Sequence, residues 1–271
     1  MKYCKVIAYD LRQGIGRKRY LALPLLLAMP LIRWVSWMYG ASTVGTMGDC
    51  LASIWMGRPP FQPHEKEIIL PVIWMLPIIG MLYFNLDYLL NDLTQFGQQI
   101  MFRIERRKLW FLSKCLWCFS ACTLFFLVGI GCVLGAQMLV GGEITLRNTP
   151  EFLLYYAGEA SPPLTLWQCI VLHTLLPWLA MTAFHIVEMT LCLFVKPVIS
   201  FLATLLLLVL TVFWPSPLFF GNAAMVVRSA LVAERGLSPT ALALSCLAVI
   251  FVCVVVGCVR FERMDILDME K

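Results

Sequence analysis

His185 and Glu188 stand three positions apart in a long apolar run, so on a helix they share one face. An imidazole beside a carboxylate can relay a proton or ligate a metal. His173 lies twelve positions before His185, which returns it near that face. Two ligands on one helix do not make a metal site, which needs three or four. An interhelical hydrogen-bond pair is therefore the simpler use of these residues. Arg33 lies inside another apolar run, where a charge either snorkels outward as an anchor or lines a pathway. Asn85, followed by Asp87, sits near the end of a third run. Arg33, Asn85, His185 and Glu188 are the candidate pathway residues. Cys115-x-x-Cys118 has metal-ligand spacing, but no second such pair and no His pair accompanies it. No metal site is expected.

The surroundings of these residues are unusually apolar. Of 271 residues, 61% are hydrophobic and 14% charged, where a soluble domain carries about 25% charged residues. The mean hydropathy is +0.82. A bilayer can accommodate that surface, whereas a soluble fold of this length cannot. Nine of the 11 cysteines (115, 118, 122, 132, 169, 192, 246, 253 and 258) fall in or beside apolar stretches, as buried structural thiols do. The net charge of +5 comes without a long basic run interleaved with aromatics, so nucleic acid is not expected as a partner. No Gly-Lys dipeptide exists, hence no P-loop, and neither H-E-x-x-H nor G-x-S-x-G occurs. The chain is expected to be no enzyme and to bind no cofactor. ATP-driven work would use ATP and Mg on another subunit.

About six transmembrane helices are predicted, over 21–41, 68–90, 115–140, 167–195, 197–214 and 239–259. The first run is too long for a signal peptide and further runs follow it. Lys196-Pro197 marks a tight turn between the fourth and fifth spans. Pro24, Pro30, Pro71, Pro77 and Pro177 are expected to kink their helices. Residues 1–20 place Met1, Cys4, Ile7, Ala8, Leu11 and Ile15 at helical spacing among six basic residues. This reads as an amphipathic interfacial helix, or else a frayed basic leader. The fold class is thus an all-α membrane protein, with a transmembrane domain over 21–271. With the N-terminus inside, fifteen Lys and Arg fall in inner segments and five (Arg58, Lys66, Arg147, Arg228, Arg235) in outer ones. The positive-inside rule then puts both termini in the cytoplasm. Residues 42–66 and 141–166 are expected to cap the outer mouth, and 215–238 to hold a short helix dipping back toward the membrane.

Residues 91–114, NDLTQFGQQIMFRIERRKLWFLSK, form the longest inner connection. Their mixed charge suits either a short helix gripped by a partner or a solvated loop. With the basic N-terminal helix, the GQQIMFRIERRKLWFLSKCLW stretch, SPLFFGNAAMVVRS and the terminal RFERMDIL, the chain resembles a permease subunit of the ABC type-2 exporters. The likeness is to small bacterial permeases of peptide-antibiotic export or immunity. That resemblance implies a cytoplasmic coupling helix acting on an ABC ATPase subunit, carried here by Asp92, Gln95, Gln98, Gln99, Arg103, Glu105, Arg106 and Arg107. It also implies a second permease subunit, identical or homologous, and a place among the lipids of the bacterial cytoplasmic membrane as a multi-pass protein. Its function would be to export an amphipathic cargo, such as a peptide, by alternating access. The alternatives are a membrane-embedded enzyme or a secondary carrier using the polar residues of the fourth span.

Overall fold

The computed structural model describes residues 2–15, 18–41, 44–61, 69–86, 107–157 and 163–263. Among the described residues all regular structure is helical, with two isolated bridges, Thr46 to Glu143 and Ser229 to Leu237. The helices are α1 (Lys2–Ile15), α2 (Leu23–Ala41, entered through the tight turn Lys18–Ala22), α3 (Met47–Trp55), α4 (Val72–Asn85) and α5 (Arg107–Val140). They continue with α6 (Pro150–Ala157), α7 (Leu166–Leu191), α8 (Pro197–Phe213) and α9 (Pro239–Arg263).

Among the described residues four stretches are long and apolar enough to cross a membrane: Tyr20–Gly40, Lys108–Val140, Leu166–Leu191 and Pro239–Arg263. Much of their apolar surface points outward, as at Leu25, Ile32, Leu127, Leu244 and Phe251. Lipid is the natural partner for that surface. Val72–Asn85 and Pro197–Phe213 are shorter apolar helices. The boundaries differ from those expected because apolarity and helicity stop at different residues. α5 starts at Arg107 rather than 115, since its basic first turn can remain helical in water. α4 starts after Pro71, which has no N–H to continue a helix backwards. Pro30 and Pro77 lie inside α2 and α4.

At one end of the bundle the connecting segments form a packed cap. Thr46 and Asp49 make a capping box at the start of α3, every residue of which is buried. Asp49 also accepts from Asn148 Nδ2 at 3.0 Å and from Thr149 N and Oγ1 at 2.9 Å each. Burial raises this carboxyl above its ordinary range, and the hydrogen bonds pull it part of the way back. Residues 45–49 and 143–149 thus meet as one hydrogen-bonded layer, with Gly48 N donating to Thr145 O at 2.9 Å. The short helix expected after α8 takes the form of two buried 3-10 helices, Phe220–Ala224 and Val226–Arg228. They form because side chains take the carbonyls that a helix would use. Asn222 Nδ2 donates to Trp214 O, Ser216 O and Phe219 O. Buried Arg228 donates to Arg58 O at 2.9 Å, Thr211 O at 2.7 Å, Val212 O at 2.5 Å and Asn222 Oδ1. It thereby caps the last carbonyls of α8. Burial, with a smaller push from Arg58, lowers its guanidinium to about 10.

At the opposite end, α1 lies against the first turns of α5. Asp10 and Lys114 form a buried ion pair at 2.5 Å, and Ser113 donates to the other carboxylate oxygen. Gly14 lets the helices approach closely, because a Cβ there would enter the Trp117 indole. Trp110 stacks on Phe261 of α9 at 4.8 Å, and Lys108 pairs with Glu262 at 3.0 Å. The N-terminal helix, the start of α5 and the end of α9 therefore share one end of the bundle, called here the terminal end.

Candidate functional site

Near the terminal end, the apolar interior contains a compact group of polar side chains from different helices, apart from the Asp10–Lys114 pair. Tyr20, in the turn before α2, donates its hydroxyl to Asn85 Oδ1 at 2.7 Å. Asn85 is the last residue of α4 and is buried. Across from it, α7 presents His185 and Glu188 on one face. All three line a cleft with Leu86, Trp117, Cys118, Met189 and Cys192. His185 Nδ1 lies 2.7 Å from Met181 O, a contact that places an N–H on that nitrogen. Ser200 of α8 donates to the backbone carbonyl of Glu188 at 2.6 Å, tying the end of α7 to the start of α8. Asn85 Nδ2, His185 Nε2 and Glu188 Oε1 are buried without a hydrogen-bond partner. Buried polar atoms in that state are rare enough to require an explanation.

Three of the four candidate pathway residues thus come together, although Asn85 is a hundred residues from His185 in the chain. His173 does not join them. It is buried with neither ring nitrogen hydrogen-bonded, and it sits in a π turn, Val171–Leu175. The wide turn shifts the helical phase between His173 and His185, so their spacing no longer predicts a shared face. Arg33 is elsewhere too. It lines a cavity of about 420 Å³ toward the capped end, with Ser53, Gly57, Pro71 and Trp74 among its walls. Of the coupling residues, Asp92, Gln95, Gln98, Gln99, Arg103, Glu105 and Arg106 lie outside the described residues. Arg107 is the first residue of α5.

Among the described residues no group of three His, Cys, Asp or Glu is placed to hold a metal. The ten described cysteines are thiols rather than disulfides. Sequence reasoning missed two polar sites. Lys114 counts toward the positive-inside excess, yet it is fully buried against Asp10. The available signal was Asp10 itself, an acid on the apolar Ile7, Leu11 and Gly14 face of an otherwise basic helix. Arg228 gave no such signal, because its partners are backbone carbonyls whose positions depend on the fold.

A family model described as "Protein of unknown function (DUF2705)" matches residues 60–267. No curated protein and no solved structure matches the chain.

Proposed function

The chain belongs to the DUF2705 family, a grouping without an assigned activity, and we propose from its own residues that it is the membrane-spanning permease subunit of an ATP-driven ABC type-2 exporter. A separate ABC ATPase subunit carries ATP and Mg. A second permease subunit, identical or homologous, completes the pathway. The cargo is amphipathic, such as a peptide, and leaves by alternating access. The observation that carries this proposal is the junction of α1 with α5. A buried ion pair and a glycine contact lock α1 to the first turns of α5, directly after the charged stretch 91–106. A push on that stretch by a cytoplasmic partner would have a stiff route into the bundle.

Six crossings are proposed, with α4 and α8 as the second and fifth. At 1.5 Å per residue, α4 covers about 21 Å of the roughly 30 Å hydrocarbon core. In its favour, α4 runs from the cap, where Trp74 donates to Ala224 O at 2.7 Å, to the terminal end, where Asn85 meets Tyr20. The charge asymmetry supports the same count. Without a crossing by α4, the Arg103–Lys108 cluster would lie on the side of the membrane opposite the N-terminal basic residues. Both termini then face the cytoplasm of a bacterial cell.

Co-purification with the products of neighbouring genes tests the class. One ATPase per permease is the expected result, and a chain that transports with no ATPase present would end the proposal. Arg103→Glu with Arg106→Glu should uncouple ATP hydrolysis from transport while the chain still inserts. A secondary carrier is the second possibility, favoured by the Asn85, His185 and Glu188 cluster. Ion-driven transport that persists when the ATPase is inactivated would select it.

A further inference from the structure

Asn85, His185 and Glu188 all line one small gap, each carries a buried polar atom without a hydrogen-bond partner, and their chemistry specifies what can fill it. Asn85 Oδ1 is taken by the Tyr20 hydroxyl, which fixes the amide and leaves Nδ2 as an unpaired donor. His185 holds its proton on Nδ1 toward Met181 O, which leaves Nε2 as an acceptor. Glu188 Oε1 accepts as a carboxylate and donates as an acid. One donor, one acceptor and one group able to do either are the complement of a water molecule. A metal ion is a poor fit, since it would meet an N–H donor and only two ligand atoms. The gap measures about 10 Å³, near the threshold for a single water, and buried waters make about three hydrogen bonds.

We infer that Asn85, His185 and Glu188 form a hydrated proton-exchange site, in which one bound water bridges the Asn85 amide, the His185 imidazole and the Glu188 carboxyl. Through that water a proton passes between Glu188 and His185. The acid O–H of Glu188 breaks as the water gains that proton, and the water yields another of its protons to Nε2. A carboxylate and an imidazolium result, and the reverse transfer restores the neutral pair. No oxidant, reductant or further reactant takes part. The titratable groups facing the gap are Cys118 of α5 and Cys192 beyond the end of α7, with Tyr20 behind Asn85. Among the described residues no Lys, Arg or Asp lines it. Leu86 and Cys192, each just past a helix end, are also among its lining residues and set it toward the terminal end, the side from which bulk water would exchange. This site is independent of whether an ATPase drives the chain.

Infrared difference spectroscopy of the full chain in lipid nanodiscs tests the inference. The Glu188 band, identified by its loss in Glu188→Gln, should shift within minutes of transfer to D2O. His185→Phe should change the pH dependence of that band. A Glu188 band that keeps its hydrogen through prolonged D2O exposure, or that is indifferent to His185→Phe, would overturn the inference. If the variants do not fold, a high-resolution density map of the unsubstituted chain decides instead. A single peak within hydrogen-bond distance of all three atoms is expected. Direct contact among the three side chains, or a peak that elemental analysis shows to be a metal, would refute it.

Discussion

At the residue scale, the buried polar side chains of the cap act through hydrogen bonds whose loss can be predicted. Arg228 satisfies three carbonyls and the Asn222 amide oxygen from inside the protein. Each buried acceptor left unpaired costs about 1–3 kcal/mol. Arg228→Met should therefore destabilise the chain by upwards of roughly 3 kcal/mol, read as a large drop in melting temperature in detergent. Asp49 gives a pH-dependent prediction. Because burial raises its folded carboxyl above the ordinary range, the folded chain holds that proton more tightly than the unfolded chain. The resulting stability is present in acid and is lost as pH rises through the folded value. The melting temperature should show this decline between acid and neutral pH in the native chain and lack it in Asp49→Asn. The sequence made His185 and Glu188 legible, because three-residue spacing on a helix is a local property. It also picked out Asn85 but not its neighbours, since contact between residues 85 and 185 depends on how helices pack. His173 was misplaced for a local reason of another kind: nothing in VLHTL announces a π turn.

At the element scale, α1 was legible as an amphipathic helix from its apolar spacing, but its partner was not. Interfacial helices rest on lipid, and a single acid on the apolar face was the only hint that α1 packs on protein. Asp10→Ala removes the carboxylate beside buried Lys114 and should cost about 3–5 kcal/mol. Asp10→Ala combined with Lys114→Met should recover most of that loss, since an apolar replacement of a buried pair is often close to neutral. A double-mutant cycle of melting temperatures checks both statements. Gly14→Leu would drive a side chain into the Trp117 indole. It should lift α1 from α5, with the first fifteen residues becoming sensitive to protease while the rest of the chain stays resistant. The start of α5 was placed eight residues late, because the expected boundary of 115 marked where charge ends, whereas the helix begins at Arg107.

At the scale of the whole molecule, helices able to cross a membrane were legible at once, because a bilayer suits so much outward apolar surface. The segments 42–66 and 141–166 were legible as connections expected to cap the outer mouth, but the order of the cap was not, since it rests on long-range bonds such as Thr46 Oγ1 to Arg147 O at 2.7 Å. On the proposed topology, a cysteine placed at Gln98 should react with membrane-impermeant maleimide only after the cells are opened, whereas one placed at Arg147 should react in intact cells. Reaction at both positions in intact cells would remove α4 from the set of crossings. The chain's own sulfur offers a further probe. Cys118 and Cys192 are both buried and line the same cleft, so small alkylating reagents should reach them only when α5 and α7 part. Their alkylation rate, followed by mass spectrometry under different nucleotide or ion conditions, would serve as a built-in clock for the opening of that end of the bundle.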